Sequence, residues 1–255
     1  MRLWVLGCSG ADFPGYHLSS FLLDQKILLD AGSLTRVLSE KDQMKIENIF
    51  VTHAHLDHIM GIPFLTDNII VGKHRKRINL FGIPSVIETI KRDLFNSAVW
   101  PDFTEIPDLE NSILNLVELK VGQSIQIDEF TVTPYPVTHT VPAVGFLVEE
   151  KRKRCFFYTG DTGPSDETWK RLSNKKIDSL IIDVSFPNQL EPLSLRTGHL
   201  TPLLLQAEIL RIKPAPQRVY VTHIKPQYER VIKRELQALQ IPGLKVLDDG
   251  ETLSV

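Results

Sequence analysis

A layered α/β fold is predicted by three observations. Short apolar runs of strand length alternate along the chain with segments of helical periodicity. His53, His139, Asp161 and His223 each fall just past the end of such a run, and strand ends along one rim of a sheet are where sites assemble in layered folds. The 255 residues, 42% apolar and 24% charged, suffice for a substantial core and exclude a disordered or collagen-like chain. Length alone permits one large domain or two small ones.

In chain order, Arg2–Gly7 reads as a buried strand and residues 8–12 as the turn after it. Residues 17–23 and 26–30 read as two more strands around a tight turn at Asp24 and Gln25. Residues 33–40 suit a short helix, and 46–51 a strand that delivers the histidine-rich loop, which runs into a helix-like segment. A strand is expected at 77–82 and an amphipathic helix at 84–96, opening on a proline in its first turn. Further strands are expected at 115–120, 124–127, 130–137, 144–149, 154–158, 179–185, 218–221, 244–247 and 252–255, with helices at 168–174, 201–212 and 228–239. The basic runs 73–77 and 151–154 read as solvated edges or hairpin tips, and His74 needs no metal to explain it. No solenoid repeat or low-complexity linker interrupts the chain.

The segment Thr52-His53-Ala54-His55-Leu56-Asp57-His58-Ile59-Met60-Gly61 carries the chemistry. Three imidazoles and a carboxylate within six positions are ligands for a borderline metal such as zinc, iron or manganese. On an extended end, residues two apart face the same way, so His53 and His55 can grip one ion while Asp57 and His58 turn toward another. Helical His-Glu-x-x-His spacing is absent, and so is any Cys-x-x-Cys pair that would close a structural zinc site. A nitrogen and oxygen cluster without thiolates points to catalysis. Of the eight histidines, His53, His55, His58, His139, His199 and His223 recur in such settings. Asp30 closes a strand before a glycine, where it can cap the next segment or accept from a ligand histidine, and the second role is favoured because ligating imidazoles need a partner for their other nitrogen. The aromatic-dense stretch 95–103, with Asn96 and Trp100, suits either a flat heterocycle or packing beneath a long loop.

The net charge of −2 gives no general attraction for polyanions. Cys8 and Cys155 lie too far apart in sequence to suggest a disulfide framework. No apolar run reaches membrane-spanning length or has the form of a signal peptide, so a cytoplasmic enzyme is expected.

The pattern His53-x-His55-x-Asp57-His58, followed by His139, Asp161 and His223, resembles the metallo-β-lactamase superfamily over almost the whole chain. The resemblance implies one domain over residues 1–255 with a four-layer αββα sandwich and a dinuclear site on one edge. It implies two divalent ions, zinc first, with iron or manganese compatible. His53, His55 and His139 would hold the first ion, Asp57, His58 and His223 the second, and Asp161 would bridge them.

The resemblance narrows to class II cyclic-nucleotide phosphodiesterases. It rests on His-Leu-Asp-His at 55–58, Phe95-Asn96 with Trp100-Pro101-Asp102-Phe103, Gly160-Asp161-Thr162-Gly163-Pro164, Val184-Ser185-Phe186-Pro187-Asn188, Gly198-His199-Leu200-Thr201-Pro202 and Val221-Thr222-His223-Ile224-Lys225-Pro226. Two departures stand out: Ile62-Pro63-Phe64-Leu65-Thr66 replaces a more aliphatic, serine-containing run, and Asp183 stands where Glu is expected.

The resemblance implies hydrolysis of the 3′ ester of 3′,5′-cyclic AMP or GMP by a metal-bridging hydroxide oriented by Asp57 and Asp161, giving a 5′-nucleotide. His199, outside the seven ligands, is then expected to bind the phosphate or protonate the departing oxygen, with Asn96 and Trp100 contacting the substrate. The implied partner is a small-molecule cyclic nucleotide; no membrane is expected, and homodimerisation is open. A tRNA 3′-processing endoribonuclease, which would bring nucleic acid as a partner, and a diiron oxygen-binding sensor are the alternatives carried by the same ligand set.

Overall fold

The computed structural model describes residues 1–72, 76–151 and 154–255. Its strands are β1 (Arg2–Gly7), β2 (Ser20–Leu23), β3 (Ile27–Leu29), β4 (Asn48–Phe50), β5 (Ile78–Gly82), β6 (Leu114–Glu118), β7 (Ile125–Ile127), β8 (Phe130–Pro136), β9 (Val144–Glu150), β10 (Arg154–Tyr158), β11 (Ser179–Asp183), β12 (Arg218–Thr222), β13 (Leu244–Val246) and β14 (Thr252–Ser254). The helices are α1 (Leu34–Val37), α2 (Glu40–Gln43), α3 (Leu56–Ile59), α4 (Gly61–Val71), α5 (Pro84–Thr89), α6 (Asp166–Leu172), α7 (Glu191–Arg196), α8 (Pro202–Ile209) and α9 (Glu229–Ala238).

Among the described residues the strands form two seven-stranded sheets, ordered β14-β1-β2-β3-β4-β5-β6 and β13-β12-β11-β10-β9-β8-β7. Each is mixed: β3 to β6 run parallel, as do β10 to β13, while the hairpin strands pair antiparallel. The turn between β2 and β3 places Asp24 at φ 42 and Gln25 at φ 68, the left-handed pair that matches the twist of a two-residue hairpin.

Side-chain alternation in the second sheet explains the layering. On β10, Phe156 and Tyr158 enter the core between the sheets, whereas Cys155 and Phe157 enter a second core under α6, α8 and α9. Ile181 and Tyr220 face inward, and Leu180, Ile182, Val219 and Val221 face outward. Both faces are covered, so these strands read as unbroken apolar runs. Leu34, Ile62, Leu65, Ile69 and Val86 bring the helices of the first sheet into the same core as its strands. The four-layer αββα arrangement expected from the resemblance is the one found.

The sheets meet through aromatics. Phe50 stacks on Phe81 with ring centroids 4.5 Å apart and meets Phe146 of the other sheet edge-on at 5.5 Å. Phe50 lies two residues before Thr52, so this contact also seats the histidine-rich loop. Phe50→Ala is expected to destabilise the protein by about 3–5 kcal/mol in denaturant melts. A loss under about 1 kcal/mol would show that the sheets close without it.

Several expected elements shift. The helix expected at 84–96 is α-helical only to Thr89; residues 90–94 form a wider π turn, closed by Phe95 N–H donating to Ile90 O at 3.0 Å, which delivers the Phe95 ring to the core. The helix expected at 33–40 is two short pieces, α1 and α2. Helix α7 is too short for its periodicity to announce it. In the two basic runs, Lys73, His74, Arg75, Arg152 and Lys153 lie outside the described residues.

Cys8 and Cys155 are both free thiols. Burial pushes the Cys155 thiol up to about 12, so it is expected to resist alkylation at pH 8 until the protein is unfolded. Rapid labelling of the native protein at that position would contradict this. No helix among the described residues is long and apolar enough to cross a membrane.

Candidate metal centre

Four strands from two sheets deliver the site. β4 leads to His53, β8 to His139, β10 to Asp161 and β12 to His223. The rims are locked together where Val144 N–H donates to Thr52 O at 3.0 Å across the sandwich. Asp30 (φ 55) and His223 (φ 64) hold left-handed backbone, a conformation costing about 1 kcal/mol or more that the surrounding hydrogen bonds must impose.

The side chains converge in two groups. In the first, His55 Nδ1 lies 3.0 Å from His53 Nε2 and 3.2 Å from His139 Nε2, and Asp161 Oδ2 lies 3.7 Å from His53 Nε2 and 3.9 Å from His139 Nε2. In the second, His223 Nε2 lies 3.2 Å from Asp57 Oδ2 and 3.4 Å from Asp161 Oδ1, and His58 Nε2 lies 3.2 Å from Asp161 Oδ1 and 3.9 Å from Asp57 Oδ2. The two oxygens of Asp161 thus face one group each.

These distances fit metal ligation. Atoms about 2.0–2.1 Å from a tetrahedral zinc stand about 3.3 Å apart. Among the described residues, His58 Nε2 and Asp161 Oδ1 are buried without a hydrogen-bond partner although they lie 3.2 Å apart, as two ligands of a common ion would. Burial drives the His53 ring well toward the neutral form that ligates metal, and shifts His55 and His139 in the same direction. Burial opposes charge on His58 and on Asp161 alike, yet the surrounding carboxylates raise His58 well above the ordinary range and the His223 and His58 rings hold Asp161 well below its own. The pocket therefore calls for positive charge.

The outward nitrogens are anchored by two buried carboxylates arranged alike. Asp30 accepts from His58 Nδ1 at 2.7 Å, and from Thr52 Oγ1, which in turn accepts from His53 Nδ1 at 3.0 Å. Asp183 accepts from His199 Nδ1 at 2.7 Å, and from Ser185 Oγ, which accepts from His223 Nδ1 at 2.8 Å. His139 Nδ1 donates to Gly198 O at 2.9 Å. Gly198 sits at φ 69, and a Cβ there would stand 2.9 Å from that same nitrogen.

Asp30 thus occupies the second-sphere position favoured from its place before the glycine. Sequence reasoning named Asp183 and Ser185 only as positions of the resemblance and gave them no bonding role, and it missed Tyr158, whose hydroxyl donates to Asp30 at 2.7 Å. The signal for Asp183 was available: like Asp30, it is an acid at the end of an apolar strand. Asp30→Ala would leave Thr52, His58 and Tyr158 without their acceptor. It is expected to weaken metal binding about 10- to 100-fold and to destabilise the fold by about 3 kcal/mol or more. Unchanged metal titration would refute the first effect and an unchanged melt the second.

His199 lies between the groups, its ring 5.2 Å from that of His139 and 5.4 Å from that of His223. Asp161, Asp183, His199 and His223 could in principle gather a further ion. However, His199 Nδ1 is committed to Asp183 and His223 Nε2 to the second group, so a hydrogen-bonded pair explains the cluster better. Burial disfavours charge on His199, but Asp183 outweighs it and raises its pKa. Among the described residues, the hydrogen bonds of the His199 ring are made through Nδ1, not Nε2.

Asn96 and Trp100 lie on the loop after the π turn. Asn96 Oδ1 accepts from Ala98 and Val99 N–H and its Nδ2 donates to Arg92 O, so the amide shapes the loop. Trp100 is half-buried, with its ring 5.3 Å from that of Phe64 on α4.

Comparison with known proteins agrees with the fold. The chain is 27% identical over 241 residues to a probable 3′,5′-cyclic-nucleotide phosphodiesterase of Yersinia pestis, covering 82% of this chain and 68% of that protein. It is 25% identical over 312 residues to a ribonuclease Z of Methanococcus maripaludis, covering 97% and 95%. The crystal structure of unliganded yeast PDE1 superposes with a TM-score of 0.83 at 19% identity, covering 100% of this chain and 99% of that one. The model of the family described as "Beta-lactamase superfamily domain" matches residues 25–224. The chain belongs to that superfamily, with the metallo-β-lactamase fold and a histidine and aspartate cluster able to hold metal ions.

Proposed function

We propose that the protein is a metal-dependent phosphodiesterase that opens the 3′ ester of 3′,5′-cyclic nucleotides to give 5′-nucleotides. The observation that carries this is the presence of two ligand groups sharing Asp161, with the His199 and Asp183 pair beside them. His53, His55, His139 and Asp161 would hold one divalent ion, and Asp57, His58, His223 and Asp161 the other. When bound, such ions lower the pKa of water and neutralise charge at phosphorus.

The chain's own groups divide the remaining work. Asp57, the most open carboxylate of the cluster at 29% side-chain exposure, orients the attacking water. His199 Nε2 gives a proton to the departing 3′ oxygen, while Asp183 fixes the ring through Nδ1. Trp100 offers its face to the base, and Asn96 holds the loop that carries it. This reading places one domain over residues 1–255, with zinc as the first-choice ion, in a cytoplasmic setting.

The similarity to proteins named ribonuclease Z supports a second reading, cleavage of a 3′-extended precursor tRNA. Incubating metal-replete and chelated protein with cyclic AMP, cyclic GMP and such a precursor separates the two. Release of 5′-nucleotide that the chelator stops is expected. Cleavage of the precursor with no turnover of either cyclic nucleotide would replace the first reading by the second.

A further inference from the structure

Lys225 lies two residues beyond His223, in extended backbone at φ −73 and ψ 122. Its neighbours Ile224 and Pro226 line a cavity of about 260 Å³ beside Cys8 and Asp249, a cavity that Lys225 does not line. In extended chain, alternate side chains leave on opposite sides, so Lys225 is turned from that cavity.

Its Nζ donates to Gly10 O at 3.0 Å and lies 5.4 Å from the centroid of the Phe186 ring. Both contacts are to residues packed against the histidines of the site: Gly10 against His223 and Phe186 against His199. A Cβ on Gly10 would stand 2.8 Å from His223 Nδ1, and the Phe186 ring is 5.8 Å from that of His199.

Among the described residues, no carboxylate lies within ion-pairing distance of Lys225. Lys91, Lys175 and Lys233, also partly buried, are each paired with an acid. An ammonium group has three protons, and one carbonyl with one ring face leaves it short of a partner. A half-buried cation held beside His199 without a counter-ion is suited to an incoming anion.

We propose that Lys225 binds a non-bridging oxygen of the substrate's phosphoryl group, positioning phosphorus between the ligand cluster and His199. This rests on the phosphodiesterase reading given above. Lys225→Met keeps the aliphatic stem over Phe186 and removes the charge; Lys225→Arg restores it.

The test uses the metal-replete full chain. KM and kcat are measured for cyclic AMP and for bis(4-nitrophenyl) phosphate, affinity for 5′-AMP and inorganic phosphate by calorimetry, and metal content and Tm for every variant. Lys225→Met is expected to raise KM and the Kd of 5′-AMP roughly 10- to 100-fold, with smaller change in kcat. Metal content and Tm should hold, and Lys225→Arg should recover most of the affinity. Unchanged KM and Kd would overturn the proposal, as would a loss of metal or Tm that accounts for the weaker binding. If the wild type cleaves the aryl diester but no cyclic nucleotide, the substrate reading fails, and the Lys225 effect on the aryl diester still decides this proposal. If it cleaves no diester, the calorimetric comparison decides it.

Discussion

Asp161→Ala is expected to lower bound metal and to reduce phosphodiester hydrolysis by on the order of 10³-fold or more. Asp161 is the one residue common to both ligand groups, with Oδ2 toward His53 and His139 and Oδ1 toward His58 and His223. Its removal leaves the first group with imidazoles alone and the second with Asp57 as its one carboxylate. Metal analysis and steady-state rates check both halves. A variant that retains its full metal complement and a rate within roughly tenfold of wild type would show that the two groups do not act as one centre.

His199→Ala is expected to lower kcat for cyclic AMP about 10²- to 10⁴-fold while metal content is unchanged. Its Nδ1 is held by Asp183 at 2.7 Å, which leaves Nε2 as the only nitrogen able to pass a proton to the leaving oxygen. The effect should shrink with bis(4-nitrophenyl) phosphate, whose leaving group needs no proton. An equal loss on both substrates would indicate phosphate binding rather than proton donation, and a loss of metal would make His199 a ligand. Asp183→Asn should show the same dependence on leaving group at smaller amplitude, because it keeps the ring present and weakens only its orientation.

Legibility differed by residue. His53, His55, Asp57 and His58 were readable because six consecutive positions carry four ligands, and local spacing fixes their mutual geometry. His139, Asp161 and His223 were readable only as a recurring setting at strand ends. Asp183 and Ser185 were invisible as partners of His199 and His223 because their hydrogen bonds join residues 16 and 38 positions apart. Asn96 illustrates the converse: its amide suits base recognition by type, but its bonds to Arg92, Ala98 and Val99 turn it into a support for the loop.

The sequence by itself determined the strands, most helices, the kind of atom that could bind metal and, through family resemblance, the layered architecture. Those features follow from side-chain periodicity and short-range spacing, which the chain carries locally. Only the tertiary structure decided that the two Asp161 oxygens serve different groups, that Asp30 and Asp183 each hold one imidazole directly and another through a hydroxyl, and that Lys225 lies against Gly10 and Phe186 with no counter-ion among the described residues. Each of these depends on which rims of the two sheets meet, and that is fixed by packing of Phe50, Phe146, Phe21 and Tyr158 between them rather than by any local pattern.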